Sequence, residues 1–151
     1  FKKIKTNKLG VFRKLHDEKE VRRFYVGGAL GVDMWAAEQI LRLKEQPGYE
    51  DIELVVALPF VGHDAKWDQR SKRRMEFILQ HCSKKEVIGN EDCRESYVKR
   101  NCYMVDQANY LVAVYDDVRN LRSGTMQCVR YAQKNHVPVV LIHPDTAIIT
   151  W

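Results

Sequence analysis

The stretch Phe24-Tyr25-Val26-Gly27-Gly28-Ala29-Leu30-Gly31-Val32-Asp33 predicts a short strand, a tight turn and the start of a helix. Gly27 and Gly28 can adopt backbone angles that are closed to residues with a Cβ, and they let a ligand approach the main chain. The first turn of the following helix has N–H groups without intrahelical partners, and the helix dipole adds positive potential there. These features favour a bound phosphate. The same glycines also have a purely structural interpretation, in which they only form a tight turn and let the helix pack closely.

Strands and helices alternate along the rest of the chain. The predicted strands cover residues 24–26, 52–58, 86–88, 110–115 and 137–142. The predicted helices cover residues 11–23, 31–44, 67–81, 97–108 and 124–135. This alternation predicts an α/β fold, Rossmann-like and doubly wound, with a mostly parallel sheet and helices on both faces. We expect residues 1–10 to be poorly ordered and the whole chain, 1–151, to form a single domain.

The composition indicates a globular protein. The chain has 151 residues, 45% of them hydrophobic, and a formal net charge of +5. The apolar content argues against disorder, and no apolar run is long enough to span a bilayer. We therefore expect a cytoplasmic protein with no membrane contact. The positive charge suits an anionic ligand or a nucleic acid. The four cysteines lack paired spacing, which predicts reduced thiols and no metal site.

A second glycine turn, Arg122-Ser123-Gly124-Thr125, precedes the last predicted helix. Its hydroxyl groups can cap that helix, or they can hold an anion together with the free N–H groups. Ligands of parallel α/β sheets bind beyond the carboxyl ends of the strands. Both glycine turns, Pro59 and Asp116 are predicted to lie at that edge. The sequence therefore predicts one crevice with two helix N-termini directed into it.

Several motifs in order resemble the YpsA-like branch of the SLOG superfamily. The similarity covers residues 24–144 and lies in these segments: Gly27-Gly28-Ala29-Leu30-Gly31-Val32-Asp33, Leu58-Pro59-Phe60, Trp67, Arg100-Asn101-Cys102-Tyr103-Met104-Val105-Asp106, Leu111–Asp116 and Ser123-Gly124-Thr125. The resemblance implies a Rossmann-like fold that binds nucleotides or nucleotide derivatives, in some members as a sensor. Relatives include LOG-type phosphoribohydrolases and the single-stranded-DNA-binding protein DprA. Dimerisation is common among them, so we expect a homo-oligomer.

The chain departs from the family pattern in two places. Members usually open with a strand that ends in a Thr-Gly-His-Arg-like turn. No such segment precedes Phe1, so we expect this strand to be missing from the sequence. LOG enzymes also carry a catalytic Glu after their Gly-Gly-x-Gly-Thr motif, where this chain has Cys128. A thiol is not a substitute for a carboxylate in glycosidic chemistry, so turnover of the LOG type is not predicted.

We expect a nucleotide-like ligand, with no further cofactor, at the strand ends. The predicted contacts are Gly27, Gly28, Ala29, Gly31, Asp33, Pro59, Trp67, Arg100, Asn101, Asp116, Ser123, Gly124 and Thr125. Asp33 and Asp116 would bind sugar hydroxyls, and Arg100 would neutralise charge. Each also has a purely structural interpretation: Asp33 as a dipole partner, Asp116 as part of a polar loop, Arg100 in an ion pair and Trp67 in packing.

Two other functions stay open at this point. A nucleoside-monophosphate N-glycosidase would need a carboxylate near the sugar, for which Glu38, Asp33 and Asp116 are weak candidates. A DprA-like nucleic-acid binder would use the net positive charge. His63 lies in the loop after the second predicted strand, where we interpret it as an exposed residue without function.

Overall fold

A computed structural model describes residues 10–114 and 124–151 of the chain. Five helices and six strands alternate in these ranges. The helices are α1 (Gly10–Lys19), α2 (Val32–Lys44), α3 (Gln69–His81), α4 (Arg94–Gln107) and α5 (Gly124–Lys134). The strands are β1 (Arg23–Val26), β2 (Glu53–Leu58), β3 (Lys84–Val87), β4 (Leu111–Val114), β5 (Val139–Ile142) and β6 (Ile149–Thr150).

The strands form two three-stranded sheets. In the first sheet, β2 lies between β1 and β3 and runs parallel to both, with Tyr25 opposite Val55 and Val56 opposite Lys85. In the second, β5 pairs in parallel with β4 and antiparallel with β6. The predicted α/β, Rossmann-like fold with mostly parallel strands is confirmed. The division into two sheets and the strand β6 were not predicted.

Helices cover both faces of the first sheet. Successive residues of a strand point to opposite faces. Phe24 packs edge-to-face on Phe12 of α1 at 5.8 Å between ring centroids, whereas Tyr25 meets Tyr103 of α4 at 6.2 Å. The main hydrophobic core joins β1, β2, α1, α2 and α3, and it also includes Val140 and Ile142 of β5. One core therefore spans both sheets and holds their carboxyl ends in a common arrangement.

Local backbone chemistry explains where two helix ends differ from the prediction. Helix α1 ends at Lys19 rather than near residue 23 because Glu20 adopts φ 59°, the left-handed conformation that ends many helices. Helix α3 begins at Gln69 rather than at Trp67, because the Asp68 carboxylate accepts a hydrogen bond from the Ser71 N–H at 2.8 Å and caps the helix.

Strand β3 begins at Lys84, two residues before the predicted start. Its Lys-Lys-Glu-Val sequence lacks a continuous apolar pattern, because the strand lies at the edge of its sheet and three of its four residues are exposed. The predicted strand 110–115 is described as far as Val114. The predicted disorder of residues 1–10 falls on residues outside the described ranges, apart from Gly10.

Candidate functional site

The Gly27-Gly28 turn connects β1 to α2 and has no room for side chains. Gly28 has φ 69°, and a methyl group placed on it would lie 2.7 Å from Leu58 Cδ2. A methyl group on Gly27 would lie 2.7 Å from Asp33 Oδ2 and 2.9 Å from Arg100 Nη1. Gly31, the residue before α2, has φ 85° but open space around its Cα. The first two glycines are thus required by packing, and Gly31 by its backbone angle alone.

The Asp33 side chain turns back from the first turn of α2 toward the Gly27-Gly28 turn. Its Oδ2 accepts a hydrogen bond from the Ala29 N–H at 3.3 Å. Burial raises the pKa of Asp33 above its ordinary value, whereas the positive charge of Arg100 and the N–H groups of Ala29 and Gly27 lower it in part. The protein's own carboxylate therefore uses N–H groups of the turn that a ligand phosphate would otherwise engage.

Arg100, in the middle of α4, connects this turn to the rest of the site. The side chain is buried, donates a hydrogen bond from Nη1 to the carbonyl of Gly27, and donates another from Nε to Asn101 Oδ1 at 2.8 Å. Burial lowers the pKa of Arg100, while the nearby Asp33 carboxylate raises it. Arg100 thus acts as a buried crosslink rather than as the surface ion pair that we considered.

Asn101 extends the connection to α5. The Asn101 Nδ2 donates to Gln127 Oε1 at 3.1 Å, and a methyl group placed on Gly124 would lie 4.0 Å from the same nitrogen. Gln127 in turn contacts Cys102 Sγ at 3.7 Å. The Arg100–Asn101 pair therefore contacts one predicted glycine turn and lies next to the other. Gly124 itself is exposed.

Cys128 lies one turn into α5, next to this network. Burial raises the pKa of the Cys128 thiol to about 11, although the positive charge of Arg100 opposes the rise. A thiol with this pKa is almost entirely protonated at neutral pH and is a poor nucleophile. Cys128 therefore offers neither the carboxylate of a LOG enzyme nor a reactive thiolate.

The sequence analysis missed His63, which contacts the glycine turn directly. Its Nε2 lies 2.9 Å from the carbonyl oxygen of Gly28, and its ring packs edge-to-face on Trp67 at 5.2 Å between centroids. His63 follows β2 at the same sheet edge as the turn, and that position was the available signal. Trp67 packs against the main core, as in its structural interpretation.

Exposed apolar side chains surround the site. Leu30 is 52% exposed, Val61 83% and Tyr97 38%, and they follow β1, β2 and β3 respectively. Tyr97 is held by a T-shaped contact with buried Phe60, at 5.7 Å between ring centroids. The β1–α2 and β2–α3 connections and the first turn of α4 therefore present apolar surface near the Gly27-Gly28 turn.

The structure brings some predicted site residues together and separates others. Gly27, Gly28, Ala29, Asp33, Arg100, Asn101 and Gly124 lie in one network, and Gly31 and Thr125 lie at the adjoining helix N-termini. Pro59 is fully buried below the surface and close to Gly89. Glu38 forms an ion pair with Arg74 of α3. Asp116 and Ser123 lie outside the described residues.

The described residues, 10–114 and 124–151, lack two kinds of feature. They contain no group of three or more His, Cys, Asp or Glu side chains placed to hold a metal ion. Within the same ranges, none of the helices combines the length and the apolar character that crossing a membrane requires.

Comparisons with known proteins place this network in a family context. A sequence model of the YspA SLOG family matches residues 1–147. The chain is 34% identical over 157 residues to the "Uncharacterized SPbeta prophage-derived protein YoqJ" of Bacillus subtilis, which covers 95% of this chain and 89% of that protein. It is 28% identical over 94 residues to a UPF0398 protein of Staphylococcus epidermidis and 29% identical over 94 residues to one of Bacillus cereus. Those alignments cover 61% of this chain and 49% and 50% of the relatives, so the chain spans about half their length.

Proposed function

The chain belongs to the YspA SLOG family, as its motifs predicted, and we propose that it binds a nucleotide or a nucleotide derivative at the carboxyl ends of its strands. The observation that carries this proposal is the position of the Arg100–Asn101 pair. Arg100 bonds to Gly27 and Asn101 lies beside Gly124, so two distant glycine turns share one small region.

The charges suggest how such a ligand is oriented. The Asp33 carboxylate already accepts the Ala29 N–H, and it would repel a phosphate at the Gly27-Gly28 turn. The N-terminus of α5 has no acidic residue in its first turn, and Gly124 is exposed there. We therefore place the phosphate at Gly124 and Thr125, and the sugar beside Ala29 and Asp33.

The exposed apolar residues support a ligand with an aromatic part. Leu30, Val61 and Tyr97 present apolar surface next to the polar network. A nucleobase has flat apolar faces that would cover such side chains, whereas inorganic phosphate has none. A nucleotide should therefore bind more tightly than phosphate alone.

Cleavage of an N-glycosidic bond is not part of this proposal. Among the described carboxylates considered for it, Glu38 is paired with Arg74, and Asp33 is bonded to the glycine turn. Incubation with nucleoside monophosphates should release no free base, as measured by chromatography. Release of base would contradict a binding-only function.

Isothermal titration with a panel of nucleoside 5′-monophosphates and diphosphates, and with inorganic phosphate, tests the proposal. We expect at least one nucleotide to bind and Gly124→Val to abolish its binding, because the new side chain would fill the space in front of the α5 N-terminus. Gly10→Val is the matched control, since Gly10 also begins a helix and has no neighbour within 4 Å. No binding by any nucleotide, or equal loss in both variants, would contradict the proposal.

The expected homo-oligomer stays a prediction. Light scattering of the purified chain, with and without the nucleotide that binds best, measures it directly, and a monomer in both conditions would contradict it.

A further inference from the structure

We propose that a cavity at the amino end of the first sheet binds a free α-amino acid with an aromatic or apolar side chain. The cavity has a volume of about 550 Å³, a size typical of small-molecule sites. Arg23, Glu53 and Lys84, the first residues of β1, β2 and β3, line it together with residues near the end of α4. It lies at the opposite end of β1 from the Gly27-Gly28 turn, so it is a second site and not part of the proposed crevice.

The strand register places the lining residues of the sheet on one face. Arg23 lies opposite Glu53, and Tyr25 lies opposite Val55. Val55 in turn lies opposite Lys84. Since successive residues of a strand point to opposite faces, these five side chains share the face on which α4 packs. Glu53 and Lys84 are on neighbouring strands and two residues apart in register, which separates their Cα atoms by about 8 Å.

The two opposite charges of Glu53 and Lys84 both have unused hydrogen-bonding capacity. Glu53 accepts a hydrogen bond from Arg23 through Oε2 at 2.8 Å, and its Oε1 has no partner within the described ranges. The Lys84 ammonium contacts Glu86 Oε1 at 2.8 Å, and an ammonium group has three N–H donors. A ligand carboxylate can therefore bind Lys84 while a ligand ammonium binds Glu53, and neither existing ion pair has to break.

These contacts favour a zwitterion over a ligand with one charge. A lone carboxylate would bind Lys84 but bring its negative charge close to Glu53, and a lone amine would do the reverse. Lys44 also lines the cavity, where it donates to the Ile52 carbonyl and forms no ion pair with another described residue. The lining thus carries three positive and two negative charges, so the ligand carboxylate should be held more strongly than the ammonium.

Two tyrosine rings and a valine provide the apolar part of the cavity. Val55 is buried, and it lies between Tyr25 and Lys84 in the strand register. Tyr25 and Tyr103 are half-buried and meet edge-to-face at 6.2 Å between ring centroids. A third ring or an aliphatic side chain can pack on this pair. The apolar surface lies next to the two charged groups, as an amino acid with an apolar side chain requires.

Isothermal titration of the full chain with L-phenylalanine and L-leucine tests the proposal. Two analogues with the same ring serve as probes with a single charge, because phenylpropanoate lacks the ammonium and phenylethylamine lacks the carboxylate. We expect saturable binding of phenylalanine, about tenfold weaker binding of phenylpropanoate and still weaker binding of the amine, since each analogue loses a hydrogen bond between charged groups. Glycine, which has both charges but no side chain, should also bind more weakly than phenylalanine.

Lys84→Met should weaken phenylalanine binding about tenfold, and Glu53→Gln should remove the preference for phenylalanine over phenylpropanoate. Lys85→Met is the matched control, because it makes the same change at the next residue of β3, which is exposed and points to the opposite face. Gly124→Val should leave phenylalanine binding intact, which separates this site from the proposed nucleotide crevice.

Three results would overturn the proposal. The first is that neither phenylalanine nor leucine binds. The second is that phenylpropanoate binds as tightly as phenylalanine, which would remove the role of the ligand ammonium. The third is an equal loss of binding in Lys84→Met and Lys85→Met, which would place the ligand outside this cavity.

Discussion

The two ends of the first sheet both carry arginines and carboxylates, but in opposite environments. At the carboxyl end, Arg100 is buried beside Asp33 and bonds to the backbone of a glycine turn. At the amino end, Arg23 pairs with Glu53 at 2.8 Å and Lys84 with Glu86 at 2.8 Å, around an open cavity of about 550 Å³. The same residue types thus build a rigid connection at one end and a solvated surface at the other.

The difference shows that burial, rather than the presence of an ion pair, decides what a charged residue contributes. Water screens the ion pairs at the amino end. It also solvates the charged side chains when a pair separates, so losing such a pair costs little free energy of unfolding. At the carboxyl end, removal of one partner leaves other buried polar groups without a hydrogen bond.

Arg100→Met should give the largest loss of stability. The Gly27 carbonyl and Asn101 Oδ1 would each lose a hydrogen bond, and the Asp33 carboxylate would lose a nearby positive charge. Each buried polar group left without a partner costs about 1–3 kcal/mol. Urea unfolding followed by circular dichroism measures the change. The double variant R100M/D33N should recover part of the loss, because it also removes the unpaired charge. Equal stability of the single variant and the wild type would contradict the buried connection.

Gly28→Ala should come next, compared with Gly31→Ala as its control. Both residues have φ between 69° and 85°, so each substitution strains the backbone by about 1–3 kcal/mol. Only Gly28 adds a close contact, 2.7 Å from Leu58 Cδ2, which overpacks the core by a further 1–3 kcal/mol or so. The difference in unfolding free energy between the two variants isolates that contact. Equal losses would show that the turn has room to move.

The environment of His16 is intermediate between the buried Arg100 and the exposed ion pairs of the amino end. Its ring is buried, and its carboxylate partners are exposed. Its ring nitrogens lie 2.9 Å from Asp17 Oδ1 and 2.8 Å from Asp51 Oδ1. Burial lowers the pKa of His16, but the hydrogen bonds to Asp17 and Asp51 raise it, and the net pKa lies above its ordinary value. The protonated ring therefore stabilises the folded state.

This contribution should depend on pH in a defined direction. It is fully present below the unfolded pKa of about 6.5, and it is lost as the pH rises through the higher folded pKa. The difference in melting temperature between the wild type and His16→Asn should therefore shrink from about pH 5.5 to pH 9. A difference that grows with pH would contradict the assigned protonation.

Arg23→Met should have the smallest effect, and it is the matched control for Arg100→Met. Its pair with Glu53 is solvent-exposed, so the urea midpoint should not change measurably, and added salt should make no difference. A loss comparable to that of Arg100→Met would remove the distinction between the two ends of the sheet.

Much of the fold could be predicted from the pattern of apolar residues. Strand β2 is buried along five of its six residues and appears in the sequence as a continuous apolar run. The start of β3 was placed two residues late because β3 is a charged edge strand, and β6 was not predicted because it has only two residues. The pairing of β3 depends on β2, a strand distant in sequence, and no local pattern records it.

In the candidate site, too, some features could be predicted from the sequence and others could not. The glycines of the first turn stood out in the sequence because few residues tolerate the positive φ of Gly28 and Gly31 or the close contacts of Gly27 and Gly28. His63 was interpreted as a residue without function, because its position at the sheet edge does not reveal that its ring lies beside the Gly28 carbonyl. The predicted role of Arg100 in neutralising a ligand's charge stays a prediction, whereas its burial and its bond to Gly27 depend on how α4 packs.

The sequence by itself determined the alternation of strands and helices, the family and the two glycine turns, because these depend on local periodicity and on residues with distinct backbone preferences. Burial and partners came from the packing of the helices: Asp33 accepts the Ala29 N–H, Arg100 joins α4 to the Gly27 carbonyl, and Arg74 of α3 pairs with Glu38. Burial and pairing arise between segments far apart in the chain, so they are fixed when the helices pack and not before.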